Sequence, residues 1–208
     1  MSAFNENDGT GVHTGFMYTA GEQHGTNVSS TIKEQLDIWY QRNLTAYEKY
    51  IDTNAGFCGD REVANGYNWS NTESFRYAAY DRIRTTKKPI FQCSNDNDLY
   101  TTTTSNKGNK ALIYPIGLIT ADEVAFAGAV WLTTNEDYYL YTGERYWTIT
   151  PVEFNFNNTE AHVFIEYTQG ISSLRVIWSR GIRPVINLKA DVTISSGNGT
   201  SSQPFTIE

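Results

Sequence analysis

Few residues in this chain have the chemistry of catalysis or metal binding. They are three histidines (His13, His24 and His162), two cysteines (Cys58 and Cys93) and the run Ser94-Asn95-Asp96-Asn97-Asp98. The cysteines lack the paired CxxC grouping of a zinc site, and three scattered histidines do not complete one. A Ser–His nucleophile and base need a third group to orient them, and no grouping in the sequence singles one out. His162, between Ala161 and Val163, reads as a partly buried strand residue rather than a base. The Asx-rich run lacks the bidentate Glu of a calcium loop and reads as a solvated turn. No catalytic residue, metal or cofactor is expected.

Recognition is the other chemistry available. The last third holds two apolar stretches, Tyr146 to Pro151 and Gly181 to Leu188, around a segment of mixed side chains, Glu153 to Arg180. Tyr, Trp and Arg are the side chains that most often anchor interfaces. The expected ligand-binding surface is therefore drawn from Phe156, Asn157, His162, Ile165, Tyr167, Ile171, Ser173, Arg175, Ile177, Trp178 and Arg180. The chain has 14 Tyr and is 14% aromatic, which suits such a surface and equally suits a β-rich core.

With 208 residues, 39% hydrophobic and 19% charged, the chain has enough material for one core and neither a disordered nor a membrane composition. Its net charge of −7 excludes a nucleic-acid partner, which needs a basic stripe; Lys87-Lys88 with Arg82 and Arg84 is too short a cluster. No apolar run is long enough for a signal peptide or membrane span. A cytosolic protein and one with a targeting segment further upstream both remain open. Residues 1–27, polar and Gly-rich, read as a lead or linker, and residues 28–208 as the domain.

Stepping along the chain, Thr31-Ile32-Lys33-Glu34 reads as a capping box, and Ile32, Leu36, Trp39, Leu44, Tyr47 and Ile51 predict two helices broken near Asn43. A long Asx-rich region from Ala55 to about Lys110 follows, with a short helix expected around Ser74 to Ile83. Loops of that length are functional or tied down. A Cys58–Cys93 disulfide would tie this one; two reduced thiols in a cytosolic core are the alternative. Ala111 to Ile119 reads as a strand, and Thr120 to Glu123 caps a helix through Ala129. Further strands are expected at Tyr138 to Tyr141, Trp147 to Thr150, Val163 to Tyr167, Leu174 to Trp178, Arg183 to Leu188, Val192 to Ile194 and Phe205 to Ile207, with a turn at Gly197-Asn198-Gly199. Trp147, Pro151, Ile182, Arg183, Pro184, Ile186 and Leu188 are assigned to the scaffold. Early helices and late antiparallel strands make the fold class α+β.

Taken in order, several of these pieces are similar to one family. They are Ile32 with Trp39-Tyr40, Phe57-Cys58-Gly59-Asp60-Arg61, Cys93, Tyr114 to Glu123, Tyr139 to Gly143, Trp147 to Pro151, Val163-Phe164 and Gly181 to Leu188. The chain from about residue 28 resembles bacterial C-type-lectin-like surface domains, related in fold to formylglycine-generating enzyme and to the variable proteins of diversity-generating retroelements. The resemblance implies a C-type-lectin-like fold with long irregular loops and a late antiparallel sheet. It also implies a Cys58–Cys93 disulfide and an extracellular place on a bacterial surface, with membrane or pilus attachment through an upstream segment. It buries Phe164 and exposes Ile165 and Tyr167, whereas simple alternation buries Ala161, Val163, Ile165 and Tyr167; the expectation here follows the resemblance.

In retroelement variable proteins the diversified residues precede the closing Gly-Phe-Arg-type strand, which corresponds here to Pro151 to Arg180 before Gly181-Ile182-Arg183. Adenine-directed mutagenesis of Asn codons reaches the residue types at His162, Ile165, Tyr167, Ile171, Ser173, Arg175, Ile177, Ser179 and Arg180. Glu166, Gln169 and Trp178 fall outside that spectrum. An enzyme like the formylglycine-generating relatives would need late cysteines, and none follows Cys93; the iron-dependent relatives would need a second histidine near His162. The expected function is a surface-displayed module that binds a protein or glycan, with diversification by a retroelement as a further implication of the resemblance. The alternatives are a passive tip or stalk domain of an appendage and, more weakly, a formylglycine-generating-type enzyme.

Overall fold

The computed structural model describes residues 1–168 and 170–208; Gln169 lies outside the described residues. Ten short to medium strands, three α-helices and several single-turn helical segments make an α+β architecture. At its centre is a four-stranded antiparallel sheet in the order β4 (Phe75–Arg76), β6 (Tyr146–Asn155), β7 (Glu160–Tyr167) and β8 (Gly170–Arg175). The remaining strands pair off in twos: β1 (Met17–Tyr18) with β2 (Val28–Ser29), β3 (Phe57–Cys58) with β5 (Leu99–Tyr100), and β9 (Ile194–Ser196) with β10 (Thr206–Ile207).

Both faces of the central sheet are covered, which explains why its strands carry apolar side chains without clean alternation. On one face Trp147, Ile149, Val163 and Ile165 pack with Phe4, Phe16, Ile32, Leu36 and Tyr40. On the other, Val152, Phe164 and Ile171 pack with Ala79, Ile83, Ala121 and Val124. Strand β6 changes phase partway along. Trp147 faces Ile165 and Pro151 faces Val163, so four steps on β6 match two on β7, and a second slip follows between Pro151 and Glu153. Pro151 has no amide to donate, and the ladder is irregular around it, as expected for proline inside a sheet. Nearby polar groups are satisfied elsewhere: the Ile149 amide donates to the Ile119 carbonyl at 2.9 Å, and Thr148 Oγ1 donates to the Phe164 carbonyl at 2.8 Å.

The first 27 residues are part of this core and not a linker. Phe4 is fully buried with its ring edge-on to Trp147, 5.6 Å between centroids, and the Trp147 indole N–H donates to the Ser2 carbonyl at 2.9 Å. Phe16 and Met17 are buried as well. The lead looked like a linker because its aromatics are isolated among Gly and Asn, with no periodicity to mark them.

Helix α1 (Thr31–Asn43) buries Ile32, Leu36 and Tyr40, but its cap is Ser30 rather than Thr31. The Ser30 hydroxyl donates to the Phe16 carbonyl and accepts from the Lys33 amide, fixing the helix start to the lead. A 3₁₀ turn from Thr45 to Tyr50 follows, where the second helix was expected. Residues 74–83 divide into strand β4 and the short helix α2 (Ala78–Asp81). The capping box at Thr120 and Glu123 forms as expected and starts α3 (Ala121–Phe126).

Three expected strands are extended or turned segments instead. Residues 111–119 make single bridges at Leu112 and Gly117, and residues 183–188 make single bridges at Val185 and Leu188; prolines at 115 and 184 remove the donors a continuous ladder needs. Residues 138–141 form a turn, closed by the Tyr141 amide on the Tyr138 carbonyl. Of the scaffold residues, Trp147 is fully buried and Ile182 and Ile186 pack on the main core, but Leu188 is 44% exposed at the segment's end. The chain closes with the exposed β9–β10 hairpin, where Gly197 and Gly199 take positive φ.

The Asx-rich region is tied in two places. The Cys58–Cys93 disulfide is present, 35 residues apart in sequence. Beside it, Arg61 and Asp98 are 2% and 0% exposed and joined by a 2.7 Å contact from Nε to Oδ1. Arg61 also donates to the Met17 and Gly25 carbonyls, and its own amide donates to Asp98 Oδ2. Burial would raise the Asp98 pKa, but the hydrogen bond from His24 and the Arg61 charge overcome it and hold the carboxyl below its usual range.

Two outcomes are expected. Reducing the disulfide should lower unfolding stability by about 3–4 kcal/mol in the chain-entropy model, and thiol titration of denatured, unreduced protein from its native compartment should find no free thiol. Asp98→Asn should cost about 3–5 kcal/mol at neutral pH by leaving a buried guanidinium uncompensated. Because the Asp98 pKa is depressed, the pair's contribution is complete above the ordinary aspartate range and fades as pH falls below it. The gap between wild type and Asp98→Asn in urea melts should therefore narrow in acid. A gap below about 1 kcal/mol at pH 7 would contradict the role assigned to this pair.

Candidate functional site

The residues expected to form a recognition surface divide between the core and two separate places. Ile165 and Ile171 are 1% and 0% exposed and belong to the two cores, so neither is a surface residue. Alternation along β7 holds: Ala161, Val163 and Ile165 face one core, with Tyr167 half-buried against it, and Phe164 is buried in the other. The resemblance was right about Phe164 and wrong about Ile165, because β7 lies inside the sheet with apolar partners on each side.

At the start of β7 a chain of charges crosses the sheet. Arg76 meets Glu153 at 3.4 Å, Glu153 and Glu160 each lie 3.7 Å from the half-buried His162, and Arg175 contacts Glu160 at 3.2 Å and Asp8 at 2.7 Å. These groups are engaged with one another. Glu153 is held below the usual carboxylate range, first by its contact with His162, and Arg175 clamps the lead through Asp8. Phe156 and Asn157 are exposed on the β6–β7 turn beside this network. Ser173, half-buried on β8, pairs with Phe164.

After Arg175 the chain leaves the sheet. The Trp178 amide closes a turn on the Arg175 carbonyl, and Ile177 and Trp178 are 37% and 52% exposed, directly after fully buried Val176. The segment then crosses toward the far end of the sheet, about 17 Å away for the five steps from His162 to Tyr167. There it meets the start of β6. The Gly181 amide donates to the Arg145 carbonyl at 2.9 Å, and the Trp147 amide to the Gly181 carbonyl at 3.2 Å. Between residues 142–146 and 179–183 lies a cleft of about 650 Å³ lined by Thr142, Gly143, Glu144, Arg145, Tyr146, Ser179, Arg180, Gly181, Ile182, Arg183 and Met1.

Three guanidinium groups border this cleft. Arg145 lies over the Tyr167 ring at 4.0 Å. Arg183 donates to the Leu140 carbonyl at 3.0 Å and to the Tyr146 hydroxyl at 3.3 Å. Arg180 donates from one terminal nitrogen to the Ser179 carbonyl, and its Nε is buried without a hydrogen-bond partner. Behind Tyr146, Glu166 is fully buried; one carboxylate oxygen accepts from Tyr138 at 2.6 Å and burial raises its pKa. Glu166 is thus a fixed part of the scaffold. Ile182 also lines a neighbouring groove of about 330 Å³ with Ile38, Trp39 and Pro184.

Another cleft, of about 370 Å³, adjoins the disulfide and includes Asp60, Arg82 and Asp122. Its arginine is already engaged, since Arg82 bridges Asp60 and Asp122, and these contacts hold the loop to α3. Among the described residues no group of three or more His, Cys, Asp or Glu side chains is arranged to hold a metal ion.

Of the residues expected from sequence, Arg180 lines this cleft, Tyr167 lies against Arg145, and Ile177 and Trp178 are exposed on the preceding turn; Arg145 and the Thr142 to Glu144 wall were not among those expected. The available signal was a Gly turn, Thr142-Gly143-Glu144-Arg145, entering an apolar strand in a chain with few arginines. Comparison with family models, with curated proteins and with solved structures gives no match for this chain.

The burial pattern separates core from surface by stability. Ile165→Ala and Ile171→Ala should each cost about 2–5 kcal/mol, whereas Trp178→Ala should stay within about 0.5 kcal/mol of wild type. Urea unfolding of the three variants checks this; equal losses would return Trp178 to the core.

Proposed function

We propose that this chain is a C-type-lectin-like recognition domain, displayed on a bacterial surface through an upstream membrane or pilus attachment, that binds a protein or glycan ligand without catalysing a reaction. The observation that carries the reading is the abrupt change at Val176. A fully buried residue is followed by Ile177, Trp178 and Arg180, side chains of the type that anchor interfaces, standing exposed or half-exposed on a short rigid crossing. A buried disulfide-tied scaffold beneath a short exposed segment is what presentation of contact residues requires. The Cys58–Cys93 bond fits an oxidising compartment, and no helix among the described residues is long and apolar enough to cross a membrane.

Diversification by a retroelement belongs to this reading. Of the two described residues outside the adenine-directed spectrum, Glu166 is a buried scaffold position, which a diversified surface would leave fixed; Trp178 is exposed and is the one that counts against it.

The test is binding to an array of bacterial and host glycans and surface proteins, read for wild type, Trp178→Ala and Ser173→Ala. Trp178→Ala should weaken the strongest ligand by about tenfold or more, as for a hot-spot aromatic, with an unchanged melting temperature. Ser173→Ala, paired within the sheet, should bind like wild type. Undiminished binding by Trp178→Ala would place recognition elsewhere.

A further inference from the structure

We infer that the cleft between residues 142–146 and 179–183 binds an acidic sugar, gripping its carboxylate with Arg180 and Arg145. The inference rests on the recognition reading above and adds the chemical class of the ligand.

The first argument is electrostatic. The chain carries 23 acidic against 16 basic residues, so carboxylates are in excess and arginines have partners available. Arg61 and Arg76 each take one, and Arg82 and Arg175 each take two. Among the described residues Arg42, Arg84, Arg145, Arg180 and Arg183 have no carboxylate oxygen within 4 Å, and the last three gather at this one cleft, although Glu144 stands on the same wall. Three guanidinium groups around one concavity repel each other, with the buried Glu166 acting on Arg183 from behind, and a bound anion lowers that cost. The second argument is the orphan donor. Arg180 Nε is buried and bonds to nothing in the protein. One terminal nitrogen is turned to the Ser179 carbonyl, which leaves the other terminal nitrogen free to donate to a carboxylate.

Shape and lining select a sugar acid over a bare anion. A space of about 650 Å³ falls in the range of small-molecule sites and is far larger than a carboxylate needs. The Thr142 and Ser179 hydroxyls and the Glu144 carboxylate can exchange hydrogen bonds with ring hydroxyls, and Ile182 supplies an apolar floor. Arg145 is held against Tyr167 and Arg183 against Leu140 and Tyr146, so the charges are already oriented and little ordering is left to oppose binding.

Calorimetric titration of the full chain with glucuronate and N-acetylneuraminate tests this, with glucose, acetate and inorganic phosphate as separate arms. At least one sugar acid should bind about tenfold or more tightly than glucose and acetate, weaken as salt rises, and weaken about tenfold or more in Arg180→Gln. Arg180→Lys, which keeps charge but loses the fork, should recover only part of the affinity. Equal binding of glucose would overturn the role of charge, and equal binding of phosphate would overturn the sugar. An unaffected Arg180→Gln that melts like wild type would overturn the site. If no sugar acid binds while Trp178→Ala still abolishes recognition of an array ligand, this inference falls and the recognition reading stands.

Discussion

The buried Arg61–Asp98 pair is the constraint on which much of the remaining structure depends. A guanidinium and a carboxylate removed from water are costly unless each is fully partnered. Here the partners come from two parts of the chain: the lead supplies the Met17 and Gly25 carbonyls to the guanidinium and His24 to the carboxylate, and the Asx-rich region supplies Asp98, with only the second terminal nitrogen of Arg61 left without a partner. Satisfying one ion pair therefore fixes the lead and the loop onto β3 and β5. The guanidinium also lies 5.6 Å from the Tyr100 ring centroid, and Tyr100 donates to the Met17 carbonyl at 3.1 Å, so the same carbonyl is held from two sides. The disulfide next to this pair constrains chain entropy; the ion pair dictates where the strands go.

Once the lead is fixed, Phe4 can cover Trp147, and that makes the sheet a layer buried on both faces. The consequence reaches the site. A strand buried on both faces has no side chains to offer a ligand, so any recognition must come from turns and from the crossing after β8. The register slips around Pro151 serve the same end. They let Trp147 and Phe154 both face the main core while Val152 faces the other, and so hold the start of β6 rigidly where residues 142–146 turn off.

This geometry also explains what could be read from the sequence. The α+β class, the capping box at Thr120, α1 and the strands around Trp147 and Val163 follow from local patterns, and all are present. Ile165 was misplaced because the resemblance was followed over alternation, which had placed it correctly; adjacent apolar Val163 and Phe164 made the pattern look weak, and the sheet order shows that both faces are covered. Residues 1–27 were misread because Phe4 and Phe16 are buried by contacts with Trp147 and Tyr100, more than 80 positions away. The prolines at 115 and 184 were visible, but their effect is a loss of ladder bonds that apolar runs conceal. Of the cleft, Arg180 was legible because it closely follows Trp178 in a segment of mixed side chains. The opposite wall was not, since Arg145 gains meaning only where Gly181 bonds to it.

The two walls are joined by main-chain bonds, Gly181 to Arg145 and Trp147 to Gly181, and by one side-chain bond, Arg183 to the Tyr146 hydroxyl. That separates architecture from display. Gly181 is required at the junction, since an added Cβ would lie 2.8 Å from the Arg145 carbonyl oxygen, and Thr142 caps its turn by accepting from the Glu144 amide, whereas no main-chain bond of the frame uses the side chains of Glu144 and Ser179. Substitution at those two positions alters the cleft's chemistry and leaves its walls in place. A fold arranged this way can change what it recognises without changing how it folds, because the bonds that set the cleft and the groups that line it belong to different atoms of the same short segments.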